Sequence, residues 1–307
     1  MSDGLSITRL ASFLEVVDRG GFAAAAPGNP VRQSQLSRQV ADLESHFGRP
    51  LVERRGRGIV ITPAGRELAA VARTLQNGLA DVRAEGADAP MPYSFGAGDS
   101  LLHWLVVPRI ADVTTDVPRA VATLTSLASA DVALGLVDAR LDFGLVRADD
   151  VTAGLSSRPL GTLHHALFVP RALHAKTRGG DLATMVTTLP LALQQSEAAL
   201  NDRFFASIGV RSPPSPALAC ETFPQACTAV RTGHYAALLP TIARVDLAPR
   251  DVVEVPLPHP GRLAAKVHLA WPPRTTARNA AFARLAASLE RQLRLGASIS
   301  PTISRRP

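Results

Sequence analysis

The stretch Gly21–Arg66, GFAAAAPGNPVRQSQLSRQVADLESHFGRPLVERRGRGIVITPAGR, decides the fold of the first quarter of the chain. Just before it, Leu10, Phe13, Leu14 and Val17 recur at helical spacing and predict an amphipathic helix. Gly20 and Gly21 end that helix, as glycines at helix C-termini do. Phe22 to Ala26 reads as a short second helix, broken by Pro27-Gly28-Asn29-Pro30. A third helix follows in which Leu36, Val40, Leu43 and Phe47, spaced 4, 3 and 4, form the face to be buried. Leu51-Val52 and Ile59-Val60-Ile61 are short β-like runs around Arg54-Arg55-Gly56-Arg57-Gly58. The two glycines permit a tight turn and the arginines crowd its tip. Three helices and an arginine-rich hairpin, in that order, suggest a winged helix-turn-helix, a module that lays one helix in the major groove of DNA.

The third helix carries the chemistry that groove reading needs. Ser34, Arg38, Ala41 and Ser45 fall roughly opposite its apolar face, with Gln33, Gln35 and Ser37 near its start. Glutamine pairs with adenine, arginine with guanine, and hydroxyls with base edges or phosphates. Taken alone, the same residues also fit an ordinary solvated helix face. The hairpin tips the balance, because a cluster of like charges at a turn has no structural use and suits phosphate or minor-groove contact.

Charge supports this locally rather than globally. The net charge is +7 over 307 residues, but 31 of the 33 basic residues are arginine, with Lys176 and Lys266 the two lysines. With abundant alanine, that bias fits genome composition as well as function. Residues 1–90 hold 11 Arg against 10 Asp plus Glu. The positive charge concentrates in residues 32–57, where Arg32, Arg38, Arg49, Arg54, Arg55 and Arg57 face only Asp42, Glu44 and Glu53, the kind of patch phosphates require.

Thr62-Pro63 starts the next helix, with Thr as cap and Pro in the first position. Leu68, Ala72, Leu75, Leu79 and Val82 then space 4, 3, 4 and 3, a short heptad-like seam. The seam fits either packing on its own domain or pairing with a second copy. Ala89-Pro90-Met91-Pro92 is a plausible connection to the rest.

The segments QSQLSRQVADLE and PLVERRGRGIVITPAGREL resemble the DNA-binding signature of LysR-type transcriptional regulators, and the likeness runs without gaps from about Leu5 to Glu85. The resemblance implies a homodimer or homotetramer on a pseudo-palindromic, two-fold operator in double-stranded DNA. It implies an N-terminal all-α winged helix-turn-helix with a linker helix. Behind these it implies a C-terminal α/β, two-lobed, periplasmic-binding-protein-like effector domain. Carried over by position, Gln33, Ser34, Ser37 and Arg38 would face the groove, and Arg54 with Arg55 and Arg57 of the wing would contact backbone. Two departures from the family pattern are visible. Arg32 stands where a capping hydroxyl is usual, so this helix start is reshaped or Arg32 itself meets DNA; Pro27, Gly28 and Asn29 replace a charged pair and a leucine, which shortens helix two.

From Tyr93 onward, short apolar runs alternate with helical stretches, the pattern of an α/β domain. Expected strands are Tyr93–Gly96, Val121–Thr125, Phe143–Val146, Ala166–Val169, Leu191–Leu193, Tyr235–Leu239 and Val267–Trp271. Expected helices are Leu101–Asp112, Ala130–Asp138, Asn201–Ile208, Pro224–Thr232 and Asn279–Leu295. GAGDSLLHWLVVPRI, ARLDFGLVR, HHALFVPRAL, TGHYAALLP and KVHLAWPP are similar to the effector domain of the same family. The whole chain then divides into residues 1–62 (DNA-binding), 63–88 (linker helix), 89–92 (hinge), 93–295 (effector-binding) and 296–307 (tail). Residues 93–163 and 264–295 make one lobe and 164–263 the other.

Candidate effector contacts lie at strand ends, where open α/β sheets bind ligands. Ser100 and Leu101 open a helix, where polar ligands are attracted, although Asp99 adds its own negative charge and Ser100 has capping as an alternative role. Ser126 and Ser129 follow one strand and Arg147 ends another. Gln194 and Ser196 follow a strand of the second lobe, and Thr222 and Phe223 precede a helix.

No catalytic constellation is legible: G-x-S-x-G, a P-loop and a complete G-x-G-x-x-G are missing. The histidines show no metal-ligand spacing, and no cofactor is implied. Cys220 and Cys227 make no disulfide framework and read as small buried residues, with a redox role as the minor alternative. No signal-peptide pattern and no apolar run of about 18 residues occurs, so the expectation is a cytoplasmic protein without a membrane partner. The composite expectation is a DNA-binding transcriptional regulator modulated by a small-molecule effector between two lobes. The alternatives are an enzyme or solute-binding domain fused to a DNA-binding module, and a DNA-binding protein without an effector.

Overall fold

A computed structural model describes residues 5–56, 58–83, 89–177 and 180–296. Arg57 and the tail from 297 lie outside the described residues, as does the end of the linker segment at 84–88. Helix α1 (Ile7–Arg19) is capped by Ser6, whose hydroxyl accepts from the Arg9 N–H at 3.2 Å, and it ends at Gly20 in the left-handed conformation. Helix α2 is only Phe22–Ala25. Helix α3 spans Pro30–Phe47. Phe13, Leu36, Leu43 and Leu51 are almost fully buried between these helices, each contributing roughly 1.5–3 kcal/mol through burial.

Two expectations for α3 are corrected. Phe47 is not a core residue: it is 41% exposed, because the chain turns away behind it and Leu51 supplies the apolar group. Nor does the helix start near Arg32. Pro30 fills its first position and the Asn29 side chain caps it, accepting from the Arg32 N–H at 3.0 Å.

Strands β1 (Val52–Arg55) and β2 (Gly58–Ile61) pair antiparallel, with Gly56 at φ 59° in the turn. Glu44 of α3 holds the root of this hairpin, its carboxylate accepting from the Leu51 and Val52 N–H groups at 2.8 and 3.1 Å. Thr62 then caps α4 (Pro63–Arg83), accepting from the Gly65 N–H at 3.0 Å and donating to the Pro50 carbonyl at 2.8 Å. A Cβ on Gly65 would lie 2.1 Å from the Leu51 carbonyl oxygen, so only glycine lets α4 pack this close to the wing.

The seam on α4 divides. Leu68, Ala69 and Ala72 pack on the core of α1 and α3, whereas Val71, Leu75 and Val82 are 60%, 43% and 62% exposed. At the junction, the largely buried Arg73 pairs with Asp18 of α1 and donates to the Asp138 carbonyl at 2.8 Å.

The rest of the chain forms two lobes. A five-stranded sheet, order β4-β3-β5-β12-β6, combines β3 (Met91–Ala97), β4 (Ala120–Ser126), β5 (Phe143–Arg147), β6 (Ser156–Leu163) and β12 (Ala265–Trp271). Met91 and Pro92, expected in the hinge, are already strand and pair with Ala120 and Val121. Helices α5 (Asp99–Leu101), α6 (Val107–Asp116), α7 (Ser129–Val137), α12 (Pro273–Ala277) and α13 (Ala280–Gln292) belong to this lobe. A π-turn, Leu102–Val106, joins α5 to α6 just before Pro108, which has no N–H to donate.

The second lobe holds β7 (His165–Pro170) between β10 (Ala237–Pro240) and β11 (Val252–Val255), all antiparallel. Its parallel pair is β8 (Ala192–Gln194) with β9 (Leu218–Cys220), and its helices are α8 (Arg171–Lys176), α9 (Leu182–Thr188), α10 (Ala198–Ser207) and α11 (Phe223–Arg231). Strands β6 and β11 and helices α8, α9 and α12 were not expected. In β6, Pro159 and Gly161 hide the strand pattern, and the register with β12 shifts at Val267/His268. Cys220 ends β9 and Cys227 lies in α11; both are buried, and burial raises both thiols, Cys227 to about 11. Among the described residues, no helix is long and apolar enough to cross a membrane.

Candidate DNA-binding and effector-binding sites

Gln33, Ser34, Ser37 and Arg38 are exposed on the first half of α3. None of their side chains is hydrogen-bonded to another described residue. Gln35 is also exposed, but its carbonyl oxygen accepts from Arg32 Nη1 at 3.2 Å. Arg32 is half-buried and its Nη2 lies 2.6 Å from Glu15 of α1. Arg54 and Arg55 do not sit at the hairpin tip as expected. They are the last residues of β1, exposed and opposite Ile59 and Gly58, and successive strand residues point to opposite faces, so the two serve different sides of the ribbon.

Between the lobes lies a cavity of about 540 Å³, and all nine expected effector contacts line it. From the first lobe come Ser100 and Leu101 in α5, Ser126 at the end of β4, Ser129 at the start of α7 and Arg147 at the end of β5. Gln194, Ser196, Thr222 and Phe223 face them from the second. Ser100 does not cap its helix. Gly98 occupies that position, and the buried Ser100 side chain has no hydrogen bond to a described residue.

Most other polar groups in the cleft are engaged with one another. The Ser129 hydroxyl accepts from the Arg147 N–H at 2.7 Å, and Arg147 Nη2 reaches both carboxylate oxygens of Glu197 across the cleft at 2.7 and 2.9 Å. Gln194 Nε2 donates to Ser196 Oγ at 2.9 Å and to the Glu221 carbonyl at 3.0 Å. Because that second partner can only accept, the amide orientation is set, and Gln194 Oε1 is left buried without a partner among the described residues. Thr222 is spent on a capping box with Gln225. Asp99 also crosses the cleft, accepting from the Phe223 N–H at 2.7 Å. Burial raises the Asp99 carboxyl above its usual range and Glu197 adds to this, against the opposing pull of the Phe223 and Ser100 N–H groups. A further inter-lobe contact runs from Trp104 Nε1 to Asp246 at 2.7 Å.

Sequence reasoning missed Glu197 and His165. His165 lines the cavity on β7, packs its ring 5.9 Å from Phe223 and meets the Leu263 carbonyl through Nδ1 at 2.7 Å. Since a carbonyl only accepts, Nδ1 carries the proton and Nε2 is an acceptor. Burial drives its pKa down to about 4, so the ring is neutral near pH 7. Spacing alone could not find these two residues, because Glu197 reveals itself only through Arg147, 50 positions away. Lys266, one of only two lysines, was a usable signal; it and Arg203 line the same cavity without an ion pair to a described residue.

Comparison with known proteins agrees with this geometry. The probable hydrogen peroxide-inducible genes activator of Mycobacterium leprae is 28% identical over 202 residues, covering 64% of this chain and 65% of that protein. The alignment thus spans a little under two thirds of that relative's length. The regulator TfdT of Cupriavidus pinatubonensis is 31% identical over 176 residues, 54% of this chain and 75% of the relative. Among solved structures, ArgP of Mycobacterium tuberculosis superposes with a TM-score of 0.67 at 19% identity, covering 91% of this chain and 96% of that one. Full-length LysG of Corynebacterium glutamicum with bound effector Arg gives 0.64 at 22% identity, covering 95% and 100%. At these identities the structures show the shared fold. The model of the bacterial regulatory helix-turn-helix protein, lysR family, matches residues 7–66, and that of the LysR substrate binding domain matches residues 92–294; the chain belongs to the LysR family of transcriptional regulators.

Proposed function

We propose that the protein is a sequence-specific DNA-binding regulator in which residues 1–62 read an operator and a small molecule binds between the lobes formed by 93–163 with 264–295 and by 164–263. Helix α3 enters the major groove with Gln33, Ser34, Ser37 and Arg38 toward base edges, and Arg54, Arg55 and Arg57 serve the backbone. The observation that carries this is the exposed face of α3, on which the side chains of Gln33, Ser34, Ser37 and Arg38 have no hydrogen bond to another described residue. The effector contacts are Ser100, Leu101, Ser126, Ser129, Arg147, Gln194, Ser196, Thr222 and Phe223, and the chain acts by binding rather than turnover. A cavity of about 540 Å³ is not the collapsed cleft expected of an effector-independent protein.

Two copies pair through α4. Val71, Leu75, Gly78 and Val82 repeat at 4, 3 and 4 on its exposed side, beside the exposed Leu134 and Val137 of α7, and line an apolar groove of about 950 Å³. Pairing there sets the distance between two recognition helices and so the spacing of half-sites. An effector alters DNA binding only to the extent that it favours one lobe arrangement over another. The test is selection of duplexes from a randomised library, followed by gel shift of wild type and Arg38→Ala at fixed salt. Equal affinity of the two proteins for the selected duplex would overturn the groove assignment.

A further inference from the structure

We propose that Glu15, on α1 and outside the recognition helix, is a specificity-positioning residue that acts through Arg32 to decide which bases Gln35 accepts. This rests on the DNA-binding function proposed above. The three side chains form one chain of contacts: Glu15 Oε2 lies 2.6 Å from Arg32 Nη2, and Arg32 Nη1 lies 3.2 Å from Gln35 Oε1. The Arg32 N–H is fixed in turn by the Asn29 cap at 3.0 Å, which sets where the guanidinium stem begins.

The direction of the Gln35 amide follows from donor and acceptor chemistry. A guanidinium has only N–H donors, so the atom facing it must be the carbonyl oxygen; a flipped amide would set N–H against N–H. Gln35 is exposed and therefore presents its NH₂ group outward. An unconstrained glutamine reads adenine in two ways at once, accepting from N6 and donating to N7. With Oε1 turned toward Arg32 and one of its two lone pairs engaged, the accepting half is weakened. The donor then dominates: adenine offers it N7 alone, beside the N6 donor, whereas guanine offers two acceptors, N7 and O6, and thymine offers O4.

Glu15 keeps Arg32 in this role. A free guanidinium in the first turn of a groove-bound helix would be drawn to phosphate, and the carboxylate competes with that attraction. The pair is partly exposed, with side chains at 35% and 37%, so in water it is weak; docking on DNA removes that water and strengthens it. The pair also carries no net charge, so Arg32 adds nothing to counterion release while it is held.

The full-length wild type, Glu15→Gln, Arg32→Ala, Gln35→Ala and the Glu15→Gln/Arg32→Ala double variant are each taken through selection on a randomised duplex library, and binding to the winning duplex is then titrated against salt. The wild type should enrich guanine or thymine at the symmetric pair of positions where Gln35→Ala loses preference. Glu15→Gln should admit adenine there, cutting discrimination roughly fivefold. It should also steepen the dependence of log affinity on log salt by about 0.9, as Arg32 moves to phosphate. Arg32→Ala should relax the same position without the steeper slope, and the double variant should match Arg32→Ala. An unchanged base preference in Glu15→Gln, with the fold intact by thermal melting, overturns the inference while leaving DNA binding in place; so does a change at a different position in Arg32→Ala, which would make Arg32 a reader itself. If the wild type enriches no duplex, the DNA-binding proposal fails and takes the inference with it.

Discussion

The exposed face of α3, proposed to read DNA, and the cleft between the lobes, proposed to hold an effector, are both polar surfaces, yet they treat their polar groups in opposite ways. On α3, Gln33, Ser34, Ser37 and Arg38 reach into solvent with no intramolecular bond among the described residues. In the cleft, Ser129, Arg147, Glu197, Gln194, Ser196 and Asp99 are bonded to each other or to backbone across distances of 2.7 to 3.1 Å. A partner for these four side chains has no hydrogen bond to a described residue to displace. A partner for the cleft must exchange its bonds for existing ones, several of which join the two lobes. Binding to the first surface can be tight without changing the protein, whereas binding to the second changes how the lobes are held.

The contrast can be broken, and the largest expected effect lies in the cleft. His165 has an ordinary pKa of 6.5 and a folded value of about 4. The folded state therefore resists protonation that the unfolded chain accepts, so the contribution is complete above about 6.5 and is lost as pH falls toward 4. Over that window it amounts to roughly 3 kcal/mol. Thermal melting from pH 7.5 to 4 should show the loss, and His165→Asn, whose amide can still donate to Leu263, should flatten the curve. An identical slope in the variant would show that the cleft is not so committed.

On the recognition face the balance reverses. Arg38→Ala should lower affinity for a selected operator by about 10- to 100-fold, or 1–3 kcal/mol. It should move stability by less than about 0.5 kcal/mol, because Arg38 is exposed and has no hydrogen bond or ion pair to another described residue. A clear drop in melting temperature would break the comparison from the other side.

Two smaller effects sharpen it. Asp99 is held above its usual carboxylate range, so its ionisation weakens the fold as pH rises through the folded value. Asp99→Asn keeps an acceptor for the Phe223 N–H and should gain melting temperature over wild type at pH 6 relative to pH 3.5; a constant difference would remove desolvation as the cause. Arg54→Ala should weaken binding by a fewfold on selected and unselected duplexes alike, and should make the salt slope shallower by about 0.9. Loss confined to the selected duplex would make Arg54 a base reader.

The two surfaces also differ in how far they can be read from the chain. The α3 face is contiguous: one turn-rich break, a 4-3-4 apolar spacing and an arginine hairpin locate it, and what escapes is local, such as Asn29 taking the cap and Phe47 leaving the core. The cleft draws on pieces from Gly98 to Val267. Strand-end positions were legible one at a time because strands and helices were. Their partners were not: Glu197 depends on Arg147, Phe223 on Asp99, and His165 on Leu263, each pairing created by topology rather than spacing. The split seam of α4 lies between these cases, since its period is visible but the domain that covers Leu68 and Ala72 is not.

The chain passes between the lobes twice, at His164 after β6 and at Ala264 before β12, and His165 stitches the two passages together through the Leu263 carbonyl at 2.7 Å. Two bodies joined by a single thread can swivel freely; joined by two adjacent threads tied to each other, they behave like a door on a short pin. Translation and twist are suppressed, and the motion left is a swing about the line of the two crossings. Whatever opens or closes this cleft can thus move a distant point of one lobe only along an arc, and the length of that arc grows with distance from His165.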